Sequence, residues 1–286
     1  QTFTIKSNPY GEFTNFTVDY DFEIAPEAAK TEIFVETDVL LVGDDLILEG
    51  TEITVAENVV ISTNNPTGDS GDITMRTNAQ NELDVEAVSI TLGNGSQLLA
   101  TPSDATHESG DILLTARQYA KPFLPYFVLL VDTSATINLN DATVRGRDIT
   151  ITADSLSDSF FETQLSGADI DITELGGETI LNELVMGTGL IFFSVSTSEA
   201  NSQINLNADT DIAGRNITVA THAASNPKSN SANELFALSY ARSEIDSKVN
   251  IASGVKLEAT SDVTISSTAL NDVGSSSASS SLGATQ

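Results

Sequence analysis

The chain has 286 residues, with 12 Lys and Arg against 41 Asp and Glu, a formal net charge of −29. That balance argues against nucleic acid or an anionic membrane as partner, since both call for basic surface. Cys is absent, which excludes disulfides, thiolate metal sites and a Cys nucleophile; Trp is absent and aromatics are 6%, which leaves little for sugar-stacking platforms.

In chain order, residues 1–30 alternate Phe, Ile and Val with polar residues around a turn at Asn8-Pro9-Tyr10-Gly11. They read as two or three strands forming a cap or an irregular first coil. The polar start, with neither Met nor an apolar leader, reads as a piece of a longer polypeptide. From Thr31 onward, short apolar-alternating strands are broken by turns at Gly43-Asp44 and Glu49-Gly50. Residues 61–75 (ISTNNPTGDSGDITM) then match 99–114 (LATPSDATHESGDILL), which sets Ile73 and Ile112 39 residues apart. The shared SGDI places Gly at a corner, where positive φ is open to it, and Asp just before a strand. At ~20 residues per coil this match covers two coils.

The clearest repeat follows. Residues 134–153 (SATINLNDATVRGRDITITA) return as 202–221 (SQINLNADTDIAGRNITVAT) and, more worn, as 247–267 (SKVNIASGVKLEATSDVTISS). Each copy reads as an INL-type strand, a polar step and a DIT-type strand, with the period-2 alternation of a half-buried strand. Ile137, Leu139, Ile149 and Ile151 are expected to point inward, as are Ile204, Leu206, Ile217 and Val219. A unit that cannot bury its own apolar face must stack on its neighbours, so the repeat predicts a solenoid. At ~20 residues and ~4.8 Å per coil, the body would hold ~12 coils over roughly 55–60 Å. The copies are unevenly spaced, which predicts irregular loop excursions. Each ends in an apolar run (PYFVLLVDTS, LIFFSVS, LFALSYA) that reads as a strand buried on both faces. Residues 179–186 form the only plausible helical turn. The apolar stretches 123–131 and 184–195 fall short of the ~20 residues of a membrane-spanning helix.

The texture of IST…SGDITM, AGRNITVAT and SGVKLEATSDVTISSTA, over roughly residues 33–269, resembles the shafts of filamentous-haemagglutinin-like bacterial surface and secreted proteins. Of that family's NPNL and NPNG secretion motifs only NPYG at 8–11 comes close, so the piece resembles shaft and not secretion domain. The resemblance implies an all-β fold, a right-handed parallel β-helix (β-solenoid), extracellular or on the cell surface. It implies a non-catalytic structural or adhesive role in a surface fibre or filament, with host or matrix glycans as further partners.

The competing class is a carbohydrate-active β-helix enzyme, a polysaccharide lyase or hydrolase. His107 and His222 lack the Gly-His-Gly setting of polygalacturonase-like sites, and Arg145-Gly146-Arg147 offers Arg-x-Arg in place of Arg-x-Lys. No catalytic or cofactor-binding residue is assigned. The candidates for Ca²⁺ are the acidic pairs Asp69 and Asp72, with Arg76 nearby, and Asp169 and Asp171. Asp111, Asp148 and Asp262 recur at strand starts and are expected to bond local backbone. The body spans 31–286. Its third copy stops before a next INL strand, so it is expected to continue or stack beyond 286, with neighbouring copies or flanking segments of the same protein added head to tail.

Overall fold

The computed structural model describes residues 2–4, 17–19, 31–80, 87–102, 106–120, 128–157, 160–163, 192–233 and 237–279. Among them every regular element is a strand. Strands β1 (Thr2–Thr4) and β2 (Thr17–Asp19) form an antiparallel pair. All other pairings are parallel.

The parallel strands stack in columns. Column one holds β3 (Glu32–Val35), β6 (Glu52–Val55), β9 (Val88–Leu92), β12 (Val128–Leu139), β16 (Phe192–Leu206) and β19 (Ala237–Ile251). Column two holds β4 (Val39–Leu40), β7 (Val60–Ser62), β10 (Gln97–Leu99) and β13 (Thr143–Arg145). Column three holds β5 (Leu46–Gly50), β8 (Ile73–Gln80), β11 (Ile112–Ala120) and β14 (Asp148–Ser157). Strands β17 (Asp211–Ser225) and β20 (Lys256–Asn271) run through columns two and three, with a bulge between Gly214 and Asn216, and so join them into one curled sheet. A smaller sheet stacks β15 (Phe160–Thr163), β18 (Lys228–Asn233) and β21 (Gly274–Ser279).

The described residues form six coils, where ~20 residues per coil predicted ~12. Five steps of ~4.8 Å make this stack about 24 Å long, less than half the expected length. Ile73 pairs directly with Ile112, so the 39-residue match is one coil and not two. Successive coils in column one are offset by 20, 37, 47, 67 and 45 residues. Only the first step has the expected size. The later coils are wider partly because their strands lengthen: β3 has 4 residues, while β16 and β19 have 15 each; of the expected loop excursions, residues 164–191 lie outside the described residues. The apolar runs are not separate strands. VLLV continues into INL as one β12, and only one face of these long strands is buried: Val131 is buried but Asp132 is exposed, and Tyr240 of β19 is 50% exposed.

Inward side chains stack like on like. Ile53, Ile90, Ile137 and Ile204 form one buried line, and Ile73, Ile112, Ile149 and Ile217 another. All eight residues expected to point inward are buried. In the wider coils the interior changes to Ala, Ser and Thr. There the two facing walls meet through hydroxyls: Ser243 Oγ donates to Ser225 (2.6 Å), Ser225 to Ser198 (2.8 Å) and Ser198 to Ser157 (2.6 Å), which caps Val131 O. This zigzag crosses between columns one and three, and side chains this short let the walls close up while each hydroxyl is satisfied.

Two corners set the turns. Between columns one and two, Asn58, Gly95, Asp141, Asp209 and Gly254 all have positive φ, in five consecutive coils. Asn, Asp and Gly are the residues that accept this conformation. Gly71 and Gly110, at the corner before column three, have no positive φ. They are glycines because the coils touch: a Cβ on Gly71 would lie 2.3 Å from Asp44 O, and one on Gly110 2.0 Å from Gly71 O. The expected cap or first coil in 1–30 and the helical turn at 179–186 lie, beyond β1 and β2, outside the described residues.

Candidate functional site

The corner before column three concentrates the charged chemistry. Asp45, Asp72, Asp111 and Asp148 occupy the same position in successive coils. The Asp72 N–H donates to Asp45 Oδ1 (2.8 Å), the Asp111 N–H to Asp72 Oδ1 (2.7 Å) and the Asp148 N–H to Asp111 Oδ1 (3.2 Å). Of the three carboxylates expected to bond local backbone, Asp111 accepts the Asp148 N–H of the coil that follows, because parallel stacking brings that strand start directly over it; Asp148 accepts from the side chains of Arg215 and Asn216 in the following coil, and Asp262 accepts from the hydroxyl of its neighbour Ser261. Asp69 likewise accepts the Glu108 N–H of the next coil (2.8 Å).

Stacked carboxylates repel, and arginines from the next coil offset this. Arg147 grips Asp111 through two bonds, at 2.8 and 2.9 Å, and also reaches Glu108 at 2.9 Å. Arg215 grips Asp148, which also accepts from Asn216 Nδ2 at 2.8 Å. The hydrogen bond from Arg147 holds Asp111 below the usual carboxylate range, against the opposing pull of burial. Arg215 does the same for Asp148. Arg145 faces the other way and bonds Asp211 of the following coil. The Arg-Gly-Arg step is thus a two-way clip: Arg147 holds the coil before it and Arg145 the coil after. Gly146, Arg147, Gly214 and Arg215, with Glu108, Ser109 and Glu258, line an open groove of about 600 Å³.

A second constellation lies on the outer face of column three. Asp154, with its side chain 19% exposed, accepts from Arg117 Nε (3.2 Å) and a terminal nitrogen (2.9 Å), and its other oxygen faces His222 Nδ1 at 2.8 Å. Arg117, Asp154 and His222 come from three successive coils and are exact register partners. With Tyr119 and Leu156 they border a shallow groove of about 460 Å³. On column one, Asp132, Glu199 and Glu244 share a register position on three strands. Burial first, then the charges of Glu199 and Glu244, push the Asp132 carboxyl up.

The Ca²⁺ candidates separate. The carboxylates of Asp69 and Asp72 serve as acceptors for backbone N–H groups of the next coil, and Arg76 turns from them to Glu49 (3.2 Å). Asp169 and Asp171 lie outside the described residues. Among the described residues no three His, Asp or Glu side chains gather as a metal-binding group. Each of the two histidines stands beside an aspartate, His107 3.7 Å from Asp69 and His222 2.8 Å from Asp154.

Reading along the chain missed both constellations, since the partners that meet across coils are 27 to 68 residues apart. The signal was present in the repeat alignment. Asp154 and His222 both lie six residues after the start of their DIT-type segment, Asp148 and Asn216, so the alignment sets one above the other. No known protein family, curated protein or solved structure is detectably similar to this chain.

Proposed function

We propose that the chain is a structural or adhesive segment of an extracellular bacterial surface or filament protein, built as a right-handed parallel β-helix and acting without a cofactor. The observation that carries this reading is the corner ladder. The best-placed charged groups are engaged in tying coil to coil, and Asp111 and Asp148 are held ionised by arginines. A general acid or base works best with a pKa near the operating pH, and those two are displaced the other way. A rod whose coils are clamped to one another by a charged ladder suits load bearing and display. Its partners are further coils of its own kind and host or matrix glycans.

The second reading, a polysaccharide lyase or hydrolase, is favoured by one observation, the Arg117–Asp154–His222 group beside its groove. One experiment separates the two. The purified chain is incubated with polygalacturonate, alginate and neutral glycans, and both reducing ends and unsaturated products are followed. No turnover, with retention on a glycan-coated surface, is expected. Turnover abolished by Asp154→Asn or His222→Ala would reverse the assignment. Adding a chelator is expected to leave the melting temperature unchanged, because Asp69 and Asp72 already have N–H partners.

A further inference from the structure

The outer face of column three carries two lines of side chains that run along the rod. Asn78, Arg117, Asp154 and His222 are register partners in successive coils and form a hydrogen-bonding line. Two residues further along these strands, Tyr119, Leu156 and Ala224 begin an apolar line that Leu270 continues. Tyr119 is half-buried, Leu156 and Leu270 are exposed, and Ala224 leaves a notch between the two leucines. The groove of about 460 Å³ is lined by residues of both lines and reaches Ala224.

The polar line is fixed before any ligand arrives. Asp154 anchors Arg117 on one side and His222 on the other. Each of these two uses only part of its capacity on the carboxylate: Arg117 gives Nε and one terminal nitrogen, and His222 presents Nδ1. The second terminal nitrogen of Arg117, Nε2 of His222 and the exposed Asn78 amide are left to meet a ligand, with the Arg117 side chain 62% and that of His222 52% exposed. Groups held in this way lose little freedom on binding.

The chemistry of the two lines selects the occupant. Strands β11, β14 and β17 are paired on both sides, so no strand edge is offered to a peptide and recognition falls to side chains. Arg117 and Asp154 cancel in charge on a rod of net charge −29, which disfavours an anion. A ligand that meets both lines at once has an apolar face beside a hydroxyl edge, which is the build of a pyranose ring. The groove is shallow, so it suits a polymer laid along the surface more than a small molecule enclosed in a pocket. We propose that this face binds a neutral glycan chain running along the rod axis. Its sugar rings pack on Tyr119 and Leu156, and its hydroxyls bond Asn78, Arg117 and His222. Coils repeat every ~4.8 Å, so neighbouring sugars meet successive members of the two lines. The site deepens the adhesive reading and rests on it only for the glycan being left intact; cleavage of the bound glycan would overturn that reading and leave the site standing.

The test titrates the full chain by calorimetry with cellohexaose, xylohexaose and mannohexaose, and with hexagalacturonate as the acidic control. Chromatography of the sugar after each titration reports whether it stays intact. At least one neutral hexasaccharide is expected to bind, and hexagalacturonate is not. Tyr119→Ala and His222→Ala are each expected to weaken binding about tenfold. Ala224→Trp fills the notch without removing any contact and is expected to block binding, whereas Thr150→Ala, on the same face outside the groove, is expected to leave it unchanged. Circular dichroism checks that each variant folds, and the blocking and truncating variants test the site independently. No binding of any neutral hexasaccharide, tighter binding of hexagalacturonate, or neutral binding that survives both Tyr119→Ala and Ala224→Trp would each overturn the proposal.

Discussion

At the residue scale, the carboxylates on this acidic rod fall into two kinds with opposite pH behaviour. Asp111 and Asp148 have lowered folded pKa values, through Arg147 and Arg215 respectively. Their stabilisation is fully present above the unfolded carboxylate value and is lost as pH falls through the lowered folded values. Asp132 is raised, by burial and by Glu199 and Glu244, so its contribution has the reverse sign: it destabilises once pH rises through its folded value. Asp132→Asn is therefore expected to raise the melting temperature at neutral pH and to do nothing in strong acid, where the carboxyl is protonated anyway. A thermal melt at both pH values checks this, and a gain in acid would show that the cause is packing. Thr77 is 1% exposed and its Oγ1 has no partner among the described residues. Thr77→Val keeps the shape and removes an unsatisfied hydroxyl, so chemical denaturation should show a gain of about 1 kcal/mol.

At the element scale, a strand is held by what lies in the coils on either side of it. Ile217 is buried between Ile149 and Val263, whereas its neighbour Thr218 lies on the outer face between Thr150 and Thr264. Truncating Ile217 to Ala should cost about 2–5 kcal/mol. The same change at Thr218 should cost under about 1 kcal/mol, as for a surface site. Equal losses would mean that the alternation does not sort the faces. The glycine column makes a sharper demand. A methyl on Gly110 would stand 2.0 Å from Gly71 O, and backbone cannot swing aside as a side chain can. Gly110→Ala should force neighbouring coils apart and cost about 1–3 kcal/mol, read from the shift in denaturation midpoint.

At the scale of the whole molecule, the fold is one-dimensional. Each coil contacts mainly those above and below it, so stability adds coil by coil. With a net charge of −29, self-repulsion acts along the full rod while the arginine clamps are local. Added salt screens the long-range repulsion more than the close, partly buried pairs. The melting temperature is accordingly expected to rise from low to moderate ionic strength. A fall would mean that the clamps at Arg147 and Arg215 outweigh the repulsion.

The sequence by itself determined which way side chains face. Period-2 alternation is local, and a slip of one residue would turn every Ile of INL and DIT outward, so Ile137, Ile149, Ile204 and Ile217 were readable as core. The repeat also showed that like segments stack, since such strands have nowhere else to bury an apolar face. Tertiary structure alone decided how many residues make a coil. A strand of four residues and one of fifteen alternate in the same way, so periodicity carries no information about where a coil closes, and ~20 residues per coil held only for the first step. It also decided which charges meet. Arg147 finds Asp111 only once the intervening chain has closed a full turn and register has set one strand start over another. That register comes from the summed packing of a whole coil on its neighbours, which no local stretch encodes.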